Sequence, residues 1–307
     1  MPKKNILVTG GAGFIGSNLV DELLKNPDNK ITVVDDLSTG NEDTIRHNYS
    51  NPNFKFIKED IRNYSQIKKI CSDTDKIYHL AVQCIRMSIF DPDLVHDVNV
   101  TGTLNLLKAS LENNVKKFIY ISSSEVYGTA KTVPMSEEHP KEPTTIYGAS
   151  KLAGENYTKA FTRTHGLNTV IIRPFNSYGP REHFEGAYGE VIPKFSVRVK
   201  NNKRPLIFGE GKQTRDFTYI SDTVAGIILA SDSEELNGDV VNIAYGHEVS
   251  VNEIAKYILE NFDSKLQPKY CPPRPGEILR HYADVSKAKK ILNFHSKVGI
   301  EEGIKLG

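Results

Sequence analysis

The chain has 307 residues, which is enough for one large α/β domain or for two lobes around a sizeable core. Its 39 lysines and arginines nearly balance its 38 aspartates and glutamates, so the overall charge predicts no nucleic-acid partner and no membrane-surface partner. The three cysteines are scattered without paired or metal-like spacing, which favours a cytoplasmic protein without a metal site. No apolar run approaches the ~20 residues of a membrane span.

A glycine-rich stretch, Thr9 to Gly16, follows the apolar run Ile6 to Val8 near the N-terminus. Its glycines allow a sharp turn, a close approach of the backbone to a pyrophosphate and close packing of the next helix. That helix would offer free N–H groups and its positive end to the anion. The stretch predicts a dinucleotide-binding turn made by Gly10, Gly13, Phe14, Ile15 and Gly16.

A second apolar run, Ile31 to Val34, ends in Asp35 and Asp36, about 20 residues beyond the glycines. A carboxylate at this place can accept both ribose hydroxyls of NAD, and no arginine follows at once to favour the 2′-phosphate of NADP. We therefore expect NAD as the cofactor. A strand-turn-helix unit with a surface Asp pair is the weaker alternative.

Further apolar runs alternate with helical patterns along the chain. Strands are predicted over residues 54–57, 76–81, 118–121 and 169–172, and helices over about 94–111 and 146–165. Strands that are apolar on both faces predict a parallel sheet covered on both sides, in a Rossmann-type doubly wound α/β fold. We expect a cofactor-binding domain over residues 1–175, to which the chain returns around 212–245. The Pro- and Gly-rich residues 176–307 predict mainly a smaller substrate-binding lobe.

Tyr147 and Lys151 lie one turn apart on the helix predicted over residues 146–165. A tyrosine phenol has an ordinary pKa of about 10, and a nearby ammonium lowers this pKa by favouring the phenolate. The pair can then take a proton from an alcohol while hydride leaves for NAD. Without the dinucleotide-binding turn upstream, a tyrosine ring beside a solvated lysine would be the better interpretation.

A run of serines, Ser122 to Ser124, follows the strand 118–121 and precedes Glu125. Ser123 is suited to hydrogen-bond the same substrate oxygen, with Ser122 and Ser124 as rivals by position. If the chain stays extended through residue 125, Glu125 shares a face with Ser123, because strand side chains alternate. Glu125 is then either a further catalytic group or only a residue that orders the loop.

Together these motifs resemble the extended short-chain dehydrogenases/reductases of the nucleotide-sugar epimerase/dehydratase family. The resemblance runs from residue 5 to near the C-terminus and rests on the glycine turn and on Asp60-Ile61, His79-Leu80-Ala81, Asn99, Val126-Tyr127-Gly128, Tyr147 to Lys151, Arg173 to Asn176 and Arg215 to Phe217. It implies that Ser123, Tyr147 and Lys151 are catalytic. It also implies that the cofactor is held by Asp60, Ile61, Leu80, Ala81, Val82 and Asn99, together with Tyr147 and Lys151.

For the substrate, the resemblance implies a nucleotide sugar. Asn176 resembles the family residue that touches the sugar, while Arg215 and Arg274 resemble those that clamp the diphosphate. The loop 82–88 looks shorter than the family loop, and its Arg86 either pairs with a substrate carboxylate or phosphate or faces solvent. The family also implies a homodimer through the helices near residues 94–111 and 146–165.

The family opens several reactions with oxidation at sugar C4. Dehydratases commonly carry an Asp-Glu pair after the catalytic hydroxyl, where this chain has Ser124-Glu125, and decarboxylases often show Ser-Glu there. The decarboxylase Arg-Lys-Pro element has no clear counterpart, because Arg280 to Asp284 occupies its region. We expect an NAD-dependent 4-epimerase acting on a UDP-sugar. The alternatives are a UDP-glucuronate decarboxylase, a 4,6-dehydratase, a C4 oxidoreductase that stops at the keto sugar and, remotely, a non-catalytic NAD sensor.

Overall fold

The computed structural model describes residues 3–183, 190–273 and 279–307. The strands in these ranges are β1 Lys4–Thr9, β2 Asn29–Asp35, β3 Phe54–Lys58, β4 Lys76–His79, β5 Lys117–Ile121, β6 Thr169–Pro174, β7 Ser177–Tyr178, β8 Leu206–Phe208, β9 Thr214–Asp216, β10 Thr218–Tyr219, β11 Asp239–Ile243, β12 Glu248–Ser250 and β13 Lys269–Cys271. The main helices are α1 Phe14–Leu24, α2 Tyr64–Ile70, α3 Met87–Phe90, α4 Pro92–His96, α5 Thr103–Glu112, α6 Ile146–His165, α7 Val191–Lys200, α8 Ile220–Asp232, α9 Val251–Asn261, α10 Ser286–Leu292 and α11 Ile300–Leu306.

One sheet has seven strands in the order β11-β6-β5-β4-β1-β2-β3. The pairings that join β1 to β6 are parallel throughout. The strand order reverses direction at β1, as in doubly wound nucleotide-binding sheets. The predicted Rossmann-type α/β fold is therefore confirmed.

The core explains why these strands carry no polar face. All five residues of β5 are buried, and the last four of β1 are buried as well. One core cluster joins strand side chains such as Leu7, Ile77 and Phe118 to Leu106 of α5 and Ile67 of α2. Because helices cover the sheet, the strands read as continuous apolar runs rather than as alternating ones.

The sheet register brings three strand ends side by side. Thr9 at the end of β1 pairs with His79 at the end of β4, and His79 pairs with Tyr120 of β5. The loops that follow these strands therefore begin next to one another at the carboxyl edge of the sheet. This is the edge at which ligands bind in open α/β sheets.

The chain divides into two compact units. The first contains Met1–Gly128, Lys141–Arg173 and Val224–Val241, and the second contains Thr129–Pro140, Pro174–Thr223 and Asn242–Gly307. The expected domains were 1–175, with a return around 212–245, and 176–307. The sequence did not indicate that residues 129–140 group with the second unit. The functions assigned to the two domains remain predictions.

Helix α6 lies very close to β5, and Gly154 makes this possible. A Cβ atom on Gly154 would lie 2.2 Å from the phenol oxygen of the buried Tyr120. Replacing glycine by alanine within a helix ordinarily stabilises it by about 1 kcal/mol. Here the clash reverses the sign, and Gly154→Ala should lower the free energy of unfolding by about 1–3 kcal/mol, as measured by urea denaturation.

The control for this prediction is Asn156→Ala, at an exposed position of the same helix. It should raise the free energy of unfolding by a few tenths of a kcal/mol through helix propensity alone. A stabilising Gly154→Ala substitution would contradict the close packing of α6 on β5.

Candidate functional site

The glycine turn after β1 contains positions that only glycine can occupy. Gly10 has φ +71°, and a Cβ on it would lie 2.6 Å from the main-chain nitrogen of Ala81. A Cβ on Gly16 would lie 2.1 Å from the carbonyl oxygen of Gly10. The turn is therefore packed backbone to backbone against the end of β4 and against the start of α1. This packing brings Gly10, Gly13, Phe14, Ile15 and Gly16 together with Leu80 and Ala81.

The two acidic residues at the end of β2 occupy different environments. Asp35 is buried, and its carboxylate accepts from the main-chain N–H of Ala12 at 3.0 Å and of Leu37 at 2.9 Å. Burial raises the pKa of Asp35 above its ordinary value, while these hydrogen bonds oppose the rise. Asp36 is half-buried and accepts from the Ser38 hydroxyl at 2.7 Å. Asp35 thus holds the glycine turn in place through its hydrogen bond with Ala12. Asp36, next to it in the chain, is more accessible to solvent.

Asp60 and Ile61 follow β3, as the sequence indicates. The Asp60 carboxylate pairs with Arg62 at 2.6 Å, and Arg62 lowers the pKa of Asp60. Ile61 is buried, and a Cβ on Gly102 would lie 2.4 Å from its Cδ1 atom. The main-chain groups of this segment are thereby held in a fixed loop, which suits recognition of a base edge.

His79 connects the glycine turn to the helical segment beyond α4. Its Nδ1 lies 2.8 Å from the Thr9 hydroxyl, and its Nε2 lies 2.8 Å from the Thr103 hydroxyl. The Thr103 hydroxyl donates to the carbonyl of Asn99, so it must accept from Nε2–H. Burial is the main cause that lowers the pKa of His79, and the neighbouring Lys151 adds to it. The ring is therefore neutral and serves as a structural link.

Asn99 joins the loop after β4 to α6. It lies in a π-helical turn, Asp97–Gly102, and its Oδ1 accepts from the Gln83 main-chain N–H at 2.8 Å. Its Nδ2 donates to the carbonyl of Gln83 and to the Ser150 hydroxyl, the latter at 2.9 Å. Ser150 in turn donates to the carbonyl of Tyr147 at 2.7 Å. This chain of bonds fixes the backbone at Tyr147 relative to the predicted cofactor loop.

Gln83 and Ser38 are site residues that the sequence did not single out as ligands. The Gln83 Nε2 donates to the Ser38 hydroxyl at 3.0 Å, which links the loops after β2 and β4. Position after a strand was the only signal available for either residue. Val82, between Ala81 and Gln83, is half-buried in the same loop.

The segment after β5 does not stay extended, so the condition for placing Glu125 on the same face as Ser123 is not met. Ser123 caps a short 3-10 helix, Ser124–Tyr127, and its Oγ accepts from the Glu125 main-chain N–H at 3.2 Å. The tight turn forms because the serine hydroxyl satisfies an N–H group at the helix start. Strand alternation therefore gives no reason to place Glu125 on the same face as Ser123.

The structure also distinguishes Ser123 from Ser122 and Ser124 by their burial. Ser122 is buried, and its hydroxyl donates to the Glu155 carboxylate at 2.6 Å. Ser124 is buried at 5% exposure. Ser123 and Glu125 are half-buried. Ser123 therefore remains the most accessible hydroxyl of the three.

Tyr147 and Lys151 occupy the first turns of α6, whose N-cap is Thr145. Tyr147 is half-buried, whereas Lys151 is only 3% exposed. The Lys151 Nζ donates to the carbonyl of Ile121 at 2.5 Å and lies 4.5 Å from the centroid of the Tyr120 ring. Burial lowers the pKa of Lys151 to about 7, and the negative charge of Glu155 opposes this shift. The pair is therefore one helical turn apart at the end of β5.

The remaining predicted residues lie elsewhere in the chain. Arg86 is half-buried directly before α3, in the first unit. In the second unit, the Asn176 amide donates to the carbonyl of Asp216 at 3.0 Å, and Arg215 donates to the carbonyl of Thr214 at 2.8 Å. Arg274 lies outside the described residues. Their roles toward a substrate remain predictions.

No helix of the described ranges is long and apolar enough to cross a membrane. Within the same ranges, no group of three or more His, Cys, Asp or Glu side chains is arranged to hold a metal ion.

The chain is similar to enzymes that act on nucleotide sugars. A family model described as GDP-mannose 4,6 dehydratase matches residues 7–306. A UDP-glucose 4-epimerase of Mycolicibacterium smegmatis is 34% identical over 97% of this chain and 95% of that protein. A UDP-N-acetyl-alpha-D-glucosaminuronate decarboxylase of Bacillus cytotoxicus is 35% identical over 99% of this chain and 96% of that protein.

Solved structures show the same similarity. A UDP-N-acetylglucosamine 4-epimerase from Methanobrevibacter ruminantium M1, in complex with UDP-N-acetylmuramic acid, superposes with a TM-score of 0.94 at 36% identity, covering 99% of this chain and 97% of that chain. A UDP-glucuronic acid 4-epimerase from Bacillus cereus, in complex with UDP-glucuronic acid and NAD, has a TM-score of 0.92 at 32% identity, covering 98% and 97% of the two chains.

Burial of Lys151 should lower the stability of the folded protein by an amount that depends on pH. Burial lowers the pKa of Lys151 to about 7 in the folded protein, from its ordinary value of 10.5. Below pH 7 both states bind the proton and the full cost of burying the charge is present. Between pH 7 and 10.5 only the unfolded chain binds it, so stability rises with pH. Lys151→Met should therefore raise the melting temperature, most strongly below pH 7, with a gain that shrinks as the pH rises.

Thermal denaturation of nucleotide-free protein over a series of pH values tests this expectation. Lys108→Met, at an exposed position of α5, is the matched control and should show no such pH-dependent gain. A gain that grows with pH, or a loss of stability below pH 7, would show that Lys151 is not buried as an unfavourable charge.

Proposed function

The chain belongs to the extended short-chain dehydrogenase/reductase family of nucleotide-sugar epimerases and dehydratases, and we propose that it is an NAD-dependent 4-epimerase of a UDP-sugar. The observation that carries the proposal is the placement of Tyr147 and Lys151 one turn apart, with Lys151 buried at the end of β5. A module that only binds nucleotide has no need of a tyrosine one helical turn from a buried lysine, so this placement argues against a sensor.

The residues at the sheet edge fit NAD. The glycine turn leaves no room for Cβ atoms, which lets main-chain N–H groups approach a pyrophosphate at the start of α1. Asp35 and Asp36 are suited to the ribose hydroxyls, and Asp60 and Ile61 to the adenine. Leu80, Ala81, Val82 and Asn99 line the same edge. When bound, NAD supplies the acceptor for the C4 hydride and the donor that returns it.

The acid-base work falls to residues of this chain. The Tyr147 phenolate takes the proton of the sugar C4 hydroxyl, and Lys151 in its protonated form favours the phenolate over the phenol. The Ser123 hydroxyl donates a hydrogen bond to the same sugar oxygen. On return, Tyr147 gives the proton back to that oxygen, so one group serves both halves of an epimerisation. We assign sugar contact to Asn176 and Arg86, and diphosphate contact to Arg215 and Arg274.

The segment after Ser123 favours epimerisation over removal of water. Elimination of water from a keto sugar needs an acid for the leaving hydroxyl and a base for the carbon-bound proton. In the position where dehydratases of the family carry the acid, this chain has Ser124, which is buried and is not an acid at neutral pH. Glu125 alone supplies one of the two groups.

The similarity to a UDP-sugar decarboxylase and the Ser124-Glu125 pair support a second candidate, a decarboxylase of a UDP-uronic acid. The C4 oxidation would be shared. The resulting keto acid loses carbon dioxide readily, and the two candidates therefore differ in the fate of the keto intermediate rather than in the first step.

Product analysis distinguishes these activities. Purified protein with NAD should convert UDP-glucose, UDP-N-acetylglucosamine or UDP-glucuronate to its C4 epimer, as read by NMR. The proposal predicts a C4-inverted sugar and no net change in NAD. Release of carbon dioxide from UDP-glucuronate would replace it with the decarboxylase, a 4-keto-6-deoxy product would indicate a dehydratase, and an accumulating keto sugar with reduced NAD would indicate an oxidoreductase.

The control for this experiment is Tyr147→Phe, which keeps the ring and removes the proton-transfer group. It should still bind NAD and should lose turnover by a factor of roughly 10²–10⁴. Unchanged turnover in this variant would overturn the assignment of Tyr147 as the base.

We also propose a homodimer formed through the helices near residues 94–111 and 146–165. Two apolar side chains of α6 support it, because Ile146 is 47% exposed and Tyr157 is 39% exposed. Sedimentation should show a dimer, and Tyr157→Glu should shift it to the monomer. Leu229→Glu, which changes a side chain of 43% exposure on α8, is the control that should leave the dimer intact. A monomeric parent protein would contradict the proposal.

A cytoplasmic location stays a prediction from the cysteine pattern.

A further inference from the structure

A fully buried ion pair lies behind the catalytic segment. Arg173, at the end of β6, and Glu155, on α6, are both completely shielded from solvent. The Arg173 Nε donates to Glu155 Oε1 at 2.8 Å, and the Arg173 Nη2 donates to Glu155 Oε2 at 2.6 Å. Burial lowers the pKa of the Arg173 guanidinium, but its hydrogen bonds and charge interaction with Glu155 outweigh burial and raise this pKa. The contact between the two side chains is bidentate.

Two further side chains complete this network, and both flank the catalytic segment. Ser122 donates its hydroxyl to Glu155 Oε1 at 2.6 Å. The Tyr127 hydroxyl accepts from Arg173 Nη1 at 2.8 Å, and the guanidinium carbon lies 4.7 Å from the centroid of the Tyr127 ring. We refer to Ser122, Tyr127, Glu155 and Arg173 as the buried clip.

The clip holds the segment that carries Ser123 and Glu125 from both ends. The backbone hydrogen bonds within this segment are long, with Val126 N–H donating to the carbonyl of Ser123 at 3.3 Å and Gly128 N–H to that of Glu125 at 3.3 Å. The side chains of Ser122 and Tyr127 therefore add one contact at each end of the segment, beside the main-chain hydrogen bond from the Ser122 N–H to the carbonyl of Ile172 at 2.7 Å. Because Glu155 lies one turn after Lys151, the clip connects the segment to the helix that carries the proposed base.

Stability alone does not explain a buried ion pair, because apolar residues of similar volume often serve the fold equally well. Its directional bonds instead set distances between elements. We propose that the buried clip positions Ser123 relative to Tyr147 and Lys151, with Ser122 and Tyr127 as positioning residues for the reaction. The inference rests on the proposed function only for its kinetic consequence.

Conservative variants test the clip without breaking the ion pair. Ser122→Ala removes the hydrogen bond to Glu155, and Tyr127→Phe removes the hydrogen bond from Arg173. Ser110→Ala and Tyr78→Phe are the matched controls, because each removes a buried hydroxyl with one similar hydrogen bond, from Ser110 to the carbonyl of Leu106 at 2.7 Å and between Tyr78 and Ser231 at 2.6 Å. All four variants are compared with NAD bound, after their melting temperatures have been measured.

The first readout is amide hydrogen exchange, which does not depend on any activity. Exchange across residues 122–128 should be faster in Ser122→Ala and Tyr127→Phe than in the parent protein, and unchanged there in the two controls. Equal exchange in all variants would overturn the clip. This outcome is decisive even if the protein turns over no sugar, a result that would overturn the proposed function separately.

The second readout is the kinetics of sugar turnover. Misplacement of Ser123 should lower kcat by roughly 10- to 100-fold in the two clip variants, while KM and the NAD dissociation constant stay unchanged. The controls should retain the parent kcat. An equal loss of kcat in clip and control variants, or an unchanged kcat with faster exchange, would show that the clip is structural only.

Discussion

The burial of the Lys151 side chain is the constraint on which the proposed catalytic edge depends. Placing a charge where it is 3% exposed costs free energy, and the fold offsets part of this cost with the carbonyl of Ile121, the face of the Tyr120 ring and the negative Glu155. These groups come from β5 and α6, so the lysine determines how closely the helix must approach the strand. Gly154 makes that approach sterically possible.

Close packing also determines the geometry of the predicted cofactor edge. Main-chain atoms, rather than side chains, form the contact between the glycine turn and the end of β4, because a Cβ at Gly10 would collide with Ala81. The turn is held in place by two buried polar residues, Asp35 and His79, through their hydrogen bonds. Both elements of the site therefore depend on buried polar residues that form hydrogen bonds.

The sequence predicted the parts of this site that show a regular spacing of apolar residues or a recognisable motif. The apolar runs fixed the strands, the stripe over residues 146–165 predicted α6 to the residue, and motif spacing brought Tyr147 and Lys151 onto one helix. It did not predict the turn at Ser124, because a serine cap and an extended strand differ only in local hydrogen bonding. Nor did it predict the clip, since the pairing of Glu155 with Arg173 depends on tertiary contact between α6 and β6.

The turn after Ser123 also shapes the proposed chemistry. Had the strand continued, alternation would have placed Ser123 and Glu125 on one face. Instead the chain closes into a 3-10 helix in which the Glu125 N–H donates to the Ser123 hydroxyl oxygen, which leaves the hydroxyl proton free to be donated to a sugar oxygen. Ser122 and Ser124 are buried, and Ser122 already donates to Glu155. A reaction that needs only one reversible proton transfer at C4 is therefore the one that this arrangement serves best.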